Sequence, residues 1–209
     1  MFDIARLKGL ATACGVLMLS ACAHTIVITP TPTAMQTSMK APTPVAKVDK
    51  HVAYVIAPSD RDVEVTTPGG GGDKISYRPY RDMETVFYSV LSDVFTKVTQ
   101  VGSAADAAKT PGIDYVLVPS LSTTSSSASM LTWPPTDFSI TIDTKALNAG
   151  GTQIWEGSVT GKGHAEFDEF KKEFPLAARR AVIDAANQLR TQMSTAPLAA
   201  AASAPVASN

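Results

Sequence analysis

The chain has 209 residues, 44% of them apolar, with 18 Lys plus Arg against 19 Asp plus Glu and a formal net charge of −1. These values suit a single globular domain and exclude collagen-like, coiled-coil and multi-domain designs. No run of cations is long enough to grip phosphate, so no nucleic-acid partner is expected. Two cysteines, Cys14 and Cys22, cannot build a disulfide framework.

Arg6 and Lys8 open the chain, an apolar stretch follows from Gly9 to Leu19, and the segment closes on Leu19-Ser20-Ala21-Cys22. The apolar stretch is shorter than the roughly 20 residues that a membrane span needs, and the order of charge, apolar core and small residues is that of a signal peptide. The closing tetrapeptide resembles the lipobox of bacterial lipoproteins. That resemblance implies cleavage before Cys22, diacylation and N-acylation of Cys22 (palmitate among the chains), and a lipid partner in the membrane. Three acyl chains at about 0.8 kcal/mol per buried methylene make such a tether effectively permanent. Ala23, where an Asp would retain the protein in the inner membrane, implies an outer-membrane lipoprotein facing the periplasm. The competing reading is an ordinary secretory signal cut at an Ala-x-Ala-like site.

Residues 22–49 are rich in Thr, Pro and Ala, interrupted only by Ile26-Val27-Ile28, and read as a lipidated cysteine followed by an extended stalk. Residues 50–195 form the expected domain. Residues 196–209 are nearly all Ala, Pro, Ser and Val and read as a disordered tail.

Within the domain, Val52 to Ala57 is a continuous apolar run, the pattern of a buried strand. Val63 and Val65, then Ile75 and Tyr77, alternate with polar residues on either side of Pro68 and Gly69 to Gly72, which predicts a hairpin. Asp82 is placed to cap a helix carrying Met83, Val86, Phe87, Val90, Leu91, Val94 and Val98 on one face, ended by Gly102. A central strand is expected from Ile113 to Leu121, then a polar stretch from Ser122 to Ser129. Phe138, Ile140 and Ile142 alternate into the turn Asn148 to Gly151, and Ile154, Trp155 and Val159 begin the returning strand. Pro175 starts a last helix with Ala178, Val182, Ala185, Ala186, Leu189 and Met193 on its apolar face, opposite Arg180, Asp184, Asn187 and Arg190.

This order predicts an α+β fold in which two helices pack on one face of a largely antiparallel four- to six-stranded sheet. With Asp114-Tyr115-Val116 leading into a strand and the turn and strand from Gly150 to Trp155, the arrangement resembles small periplasmic domains. These are the lipopolysaccharide-assembly lipoprotein and the amino-terminal domains of TolB-like and curli-secretion proteins.

The sequence carries few motifs of catalysis or ligand binding. Gly69 to Gly72 are followed by Asp73-Lys74-Ile75 and a strand, not by the Lys-Ser/Thr and helix of a phosphate loop. Lys162 between Gly161 and Gly163 lacks the same frame and reads as a strand end. No Gly-x-Ser-x-Gly elbow or Ser-x-x-Lys pair occurs. His164 beside Glu166, Asp168 and Glu169 could be read as a metal site or a hydrolase carboxylate cluster, but three acids before a helix more often serve its positive end. No cofactor, metal or catalytic residue is expected. Trp133-Pro134-Pro135 presents an aromatic on a rigid extended segment. The candidate contact residues are therefore Trp133, Pro134, Pro135, Gly70, Gly71, Tyr77 and Tyr80, with core packing as the alternative for each aromatic. The reading is a non-enzymatic accessory or assembly subunit of a cell-envelope complex with an envelope protein partner, the alternatives being a lipid- or glycan-binding module and an envelope hydrolase.

Overall fold

A computed structural model describes residues 23–38, 46–69, 73–127 and 135–200. Of the candidates above, Cys22, Gly70, Gly71, Trp133 and Pro134 lie outside the described residues. In chain order the elements are β1 (Ala23–Thr25), α1 (Pro32–Ser38), β2 (Val48–Val55), α2 (Pro58–Arg61), β3 (Val65–Pro68), β4 (Lys74–Tyr77), α3 (Pro79–Val94) and β5 (Phe95–Val101). They continue with α4 (Ala104–Lys109), β6 (Tyr115–Ser126), β7 (Asp137–Asn148), β8 (Gln153–His164), α5 (Phe167–Phe170), α6 (Leu176–Thr195) and α7 (Pro197–Ala200).

The architecture is α+β with two mixed sheets, a five-stranded one in the order β5-β2-β6-β7-β8 and a three-stranded one in the order β1-β4-β3. In the larger, β5, β2 and β6 run parallel while β6, β7 and β8 form an antiparallel meander. In the smaller, β1 is parallel and β3 antiparallel to β4. The expectation of a largely antiparallel sheet is corrected. The parallel half exists because helix-bearing crossovers join β2 to β5 and β5 to β6, and such crossovers return the chain in its original direction.

Alternation sets the layers. On β7, Phe138, Ile140, Ile142 and Ala146 are buried on one face and join Leu117 of β6, Val159 of β8 and the apolar sides of α3 and α6 in a single core. A smaller cluster of Ala53, Val101, Ala107, Ile113 and Val116 lies apart from it, where Ala107 of α4 meets strand residues. At the turn joining β7 to β8, the Asn148 side chain accepts the N–H groups of Gly150 and Thr152, both at 3.0 Å. Gly151 there has φ +80°, a conformation that glycine adopts without steric cost.

Helix α6 lies on bare backbone. Gly157, Gly161 and Gly163 of β8 pair with the core-facing Thr144, Ile140 and Phe138 of β7, so a Cβ on any of them would point at the helix. At Gly161 it would come within 2.1 Å of Ala181 O and 2.4 Å of Ala185 N, and at Gly163 within 2.0 Å of Ala177 O. Ala177, Ala181 and Ala185, one turn apart, are the matching small residues.

The same helix closes the edge of β8. Arg180 donates to His164 O at 2.8 Å, Asp184 accepts the Lys162 N–H at 2.9 Å, Gln188 donates to Thr160 O at 3.0 Å and Gln192 to Ser158 O at 3.4 Å. Four side chains at i, i+4, i+8 and i+12 thus occupy backbone groups that an edge strand would otherwise offer to another chain.

Several expectations are revised. Part of the predicted stalk is folded: Ile26 and Ile28 are in the main core, and β2 begins at Val48. The Ile28 N–H donates to Asp82 Oδ2 at 3.2 Å, Thr29 Oγ1 donates to Asp82 O at 2.6 Å, and Asn187 donates to Ser38 O at 2.9 Å. Two isoleucines in an otherwise polar stretch suffice to dock it, because each buries an entire apolar side chain. The start of the predicted tail is folded too, with Ala196 and Leu198 in the same core. Asp82 does not cap α3, which starts at Pro79, but is buried inside its first turn; burial pushes its carboxyl upward and the Ile28 N–H pulls it back. Helix α3 stops at Val94 rather than Gly102, since Phe95 to Val101 pairs with β2. The polar stretch after Leu121 continues β6 to Ser126, and Gly161-Lys162-Gly163 falls inside β8. Arg190, expected on the solvent side, is buried and bonds Asp93 of α3 at 3.0 Å.

Candidate functional site

One pole of the molecule collects the β3–β4 hairpin, the end of β6, the start of β7 and the end of β8. Pro68 pairs with Lys74, and Lys74 with Ala23; the Gly69 N–H closes the turn on Asp73 O at 2.9 Å. Ser125 of β6 donates to Pro68 O and to Thr67 Oγ1, the latter at 2.7 Å. Ser126 is paired with Asp137, and Asp137 with His164. The described flanks of the glycine run and of the segment carrying Trp133 therefore meet at this pole.

Tyr77 and Pro135 are not surface contacts. Tyr77 is 1% exposed, lies edge-on to Phe138 with centroids 5.4 Å apart, and donates to Thr123 Oγ1 at 2.6 Å. Burial pushes its phenol upward. It fastens the small sheet to β6, because its ring fills the core while its hydroxyl finds a partner. Pro135 is buried, and the Thr136 carbonyl beside it accepts the Ala165 N–H at 2.9 Å. Tyr80 is half-buried and its hydroxyl oxygen accepts the Leu121 N–H at 3.2 Å, a structural bond rather than a displayed ring.

The chemistry at the pole is polar. An open groove of about 570 Å³ is lined by Thr124, Ser126, Asp137, Ser139, Lys162 and His164, among others. It continues into a hydroxyl-rich sheet face: Ser120, Ser122, Thr124 and Ser126 are exposed on alternate positions of β6, with Thr124 bonded to Ser139 at 2.7 Å and Thr141 to Thr160 at 2.9 Å. His164 stands between two carboxylates, Nδ1 2.8 Å from Asp137 Oδ1 and Nε2 3.1 Å from Glu166 Oε1. Asp137 first, then Glu166, holds the imidazolium above the ordinary value of 6.5, and the His164 bond in turn lowers Asp137. With both ring nitrogens engaged, His164 acts as a cross-strand tie.

The acidic residues after it have structural partners. Glu166 and Glu169 form a capping box at the start of α5, which satisfies its free N–H groups reciprocally. Glu169 makes a two-pronged pair with Arg180 at 2.7 and 2.9 Å, which pulls its carboxyl down to about 2. Asp168 pairs with Lys171. Among the described residues no group of three or more His, Cys, Asp or Glu could hold a metal ion. His51 is a buried residue of β2 bonded to Gly112 O at 3.1 Å and Thr99 Oγ1 at 2.8 Å.

The His164 tie has a pH signature. A histidine raised above its unfolded value stabilises the fold below that value and loses this contribution as pH rises through the raised one, whereas lowered Asp137 contributes above its unfolded value of 3.8. The stability lost on His164→Gln is expected to be largest between pH 3.8 and 6.5 and to shrink as pH rises further. Urea titrations of both proteins across that range check it; a difference that grows with alkalinity contradicts the assignment.

The Asp137–His164–Glu166 grouping escapes sequence reading because Asp137 and His164 are joined only by cross-strand register; a histidine two residues before a helix-capping acid is the one local cue. No family model matches the chain. No curated protein matches it either. Among solved structures, it is similar to a protein of Xanthomonas campestris from the family DUF330, at 13% identity and a TM-score of 0.40, covering 86% of this chain and 92% of that one. It is also similar to a minor lipoprotein from Acinetobacter baumannii, at 14% identity and a TM-score of 0.41, covering 70% of this chain and 94% of that one. Likeness at this level assigns neither a family nor an activity. Among the described residues, no helix is long and apolar enough to cross a membrane.

Proposed function

We propose that this chain is a bacterial outer-membrane lipoprotein, anchored by acylated Cys22 and facing the periplasm, that serves as a non-enzymatic accessory subunit of an envelope protein complex. The observation that carries the reading is the junction of anchor and fold. The lipobox ends at Cys22, and β1 begins at the next residue, already paired with β4. An attachment point built into the folded body makes sense for a protein whose location is its function, since confinement raises the effective concentration of a partner. The non-enzymatic assignment draws on His164, Glu166, Asp168 and Glu169, each committed to a cap or ion pair. The hydroxyl face of β6 and β7 supplies the surface for the partner, with Gly70, Gly71, Trp133 and Pro134 as further proposed contacts.

Cys22→Ala is expected to move the protein out of the outer-membrane fraction and to abolish palmitate labelling, with cross-linked partners lost in parallel. Retention of the variant in that fraction, or an unmodified Cys22 in the mature wild-type protein, defeats the anchor. The groove lined by Thr124, Ser139 and Lys162 favours glycan binding as a second reading. Saturable binding of envelope oligosaccharides, lost on Lys162→Ala, would select it over a protein partner.

A further inference from the structure

Resting on the anchor at Cys22, we propose that the pole bearing β1 lies directly on the bilayer, and that Phe167 and Phe174 enter its headgroup region as a second, non-covalent contact. The first observation is distance. Ala23 is held by β4 at Lys74, so one residue, at most about 3.6 Å of chain, separates Cys22 from the folded body. The acylated residue and the domain therefore cannot be far apart, and the pole containing Ala23 is the one that faces lipid.

The second is what else that pole displays. From Ala23 the path runs through Lys74, Pro68, Ser125 with its partner Phe138, and the Asp137–His164 pair. Steps of about 5 Å each place the end of β8 within roughly 25 Å of the anchor. From there the chain continues into α5, where Phe167 is 59% exposed, and on to Phe174, 52% exposed. These are two of the few large apolar side chains left in solvent among the described residues. Phe167 is preset for insertion: its ring stands edge-on, 5.3 Å from the buried Phe170, and Lys171 Nζ lies 5.7 Å from its centroid. Aromatic rings with lysines at their rim are the composition of an interfacial contact, the rings entering the boundary and the ammonium groups staying at headgroup level.

Charge does not drive the contact. Asp168 and Glu169 beside the rings are matched by Lys171 and Arg180, so ring insertion supplies the affinity and added salt has little effect.

The test places a photoreactive phenylalanine analogue singly at Phe167, Phe174 and Ile154 of the full-length protein. Ile154 is exposed but lies at the other end of β8, ten strand residues or about 33 Å from His164. The proteins are reconstituted by their lipid into vesicles of phosphatidylethanolamine and phosphatidylglycerol and irradiated. Phospholipid adducts at 167 and 174 with none at 154, unchanged by added salt, are expected. Adducts at 154 equal to those at 167, or no lipid adduct at 167 in protein that is palmitate-labelled and vesicle-bound, overturn this orientation while leaving the anchor standing. Protein that carries no acyl label and does not sediment with vesicles overturns the anchor itself.

Discussion

Gly161→Val is expected to lower the melting midpoint by roughly 6–12 °C, from a destabilisation of about 3 kcal/mol in a domain of this size. The argument is steric. The first added carbon would already stand 2.1 Å from Ala181 O and 2.4 Å from Ala185 N, and both are main-chain atoms, so no side-chain rotation relieves the clash. Helix α6 must lift from the sheet, opening the contacts of Val182, Leu189 and Met193 with the core. Thr160→Val, on the same strand but facing the hydroxyl surface opposite Thr141, is the control and should stay within about 0.5 kcal/mol. Thermal unfolding followed by circular dichroism reads both. Equal midpoints for Gly161→Val and wild type would mean that α6 does not rest on the backbone of β8.

Ile28→Ala should cost about 2–5 kcal/mol, the range for truncating a fully buried aliphatic side chain. Ile28 has 0% exposure, and its N–H is tied to Asp82, so its neighbours cannot close easily over the gap. Val27, one residue earlier and 47% exposed, gives the contrast: Val27→Ala should change stability by less than about 0.5 kcal/mol. Urea unfolding distinguishes the outcomes, with the midpoint falling for Ile28→Ala while the slope holds. A midpoint unchanged by Ile28→Ala would restore the extended stalk that composition suggests.

That contrast shows where sequence reading stops. The run into β2, the Asn148 to Gly151 turn and the apolar side of α6 are legible because periodicity and turn chemistry are local. β5 is not, because Val94 and Val98 continue the four-residue spacing of Val90 and disguise a strand as the last turns of α3. Ile26 and Ile28 are outweighed by the prolines and threonines around them, although composition over a window says nothing of what two residues can reach. The hydroxyl end of β6 lacks an apolar pattern because its inward residues Thr123 and Ser125 meet hydroxyls and a carbonyl of the small sheet while its outward ones meet water. The fit between Gly157, Gly161, Gly163 and Ala177, Ala181, Ala185 is visible as two spacings, two and four residues, yet only the fold shows that they meet. At the site, His164 beside Glu166 is legible in the sequence, whereas Asp137 opposite His164 requires the register of β7 and β8.

The four bonds from Arg180, Asp184, Gln188 and Gln192 to β8 couple two failure modes that are separate in most domains. Because the helix that completes the core also shields the edge of β8 from Ser158 to His164, partial melting of α6 would at the same time open that edge as a template for other chains. Loss of native structure that begins at α6 is therefore expected to favour self-association over a free coil. The frequency with which α6 lifts, more than the equilibrium between folded and unfolded states, is then the quantity expected to govern its practical lifetime.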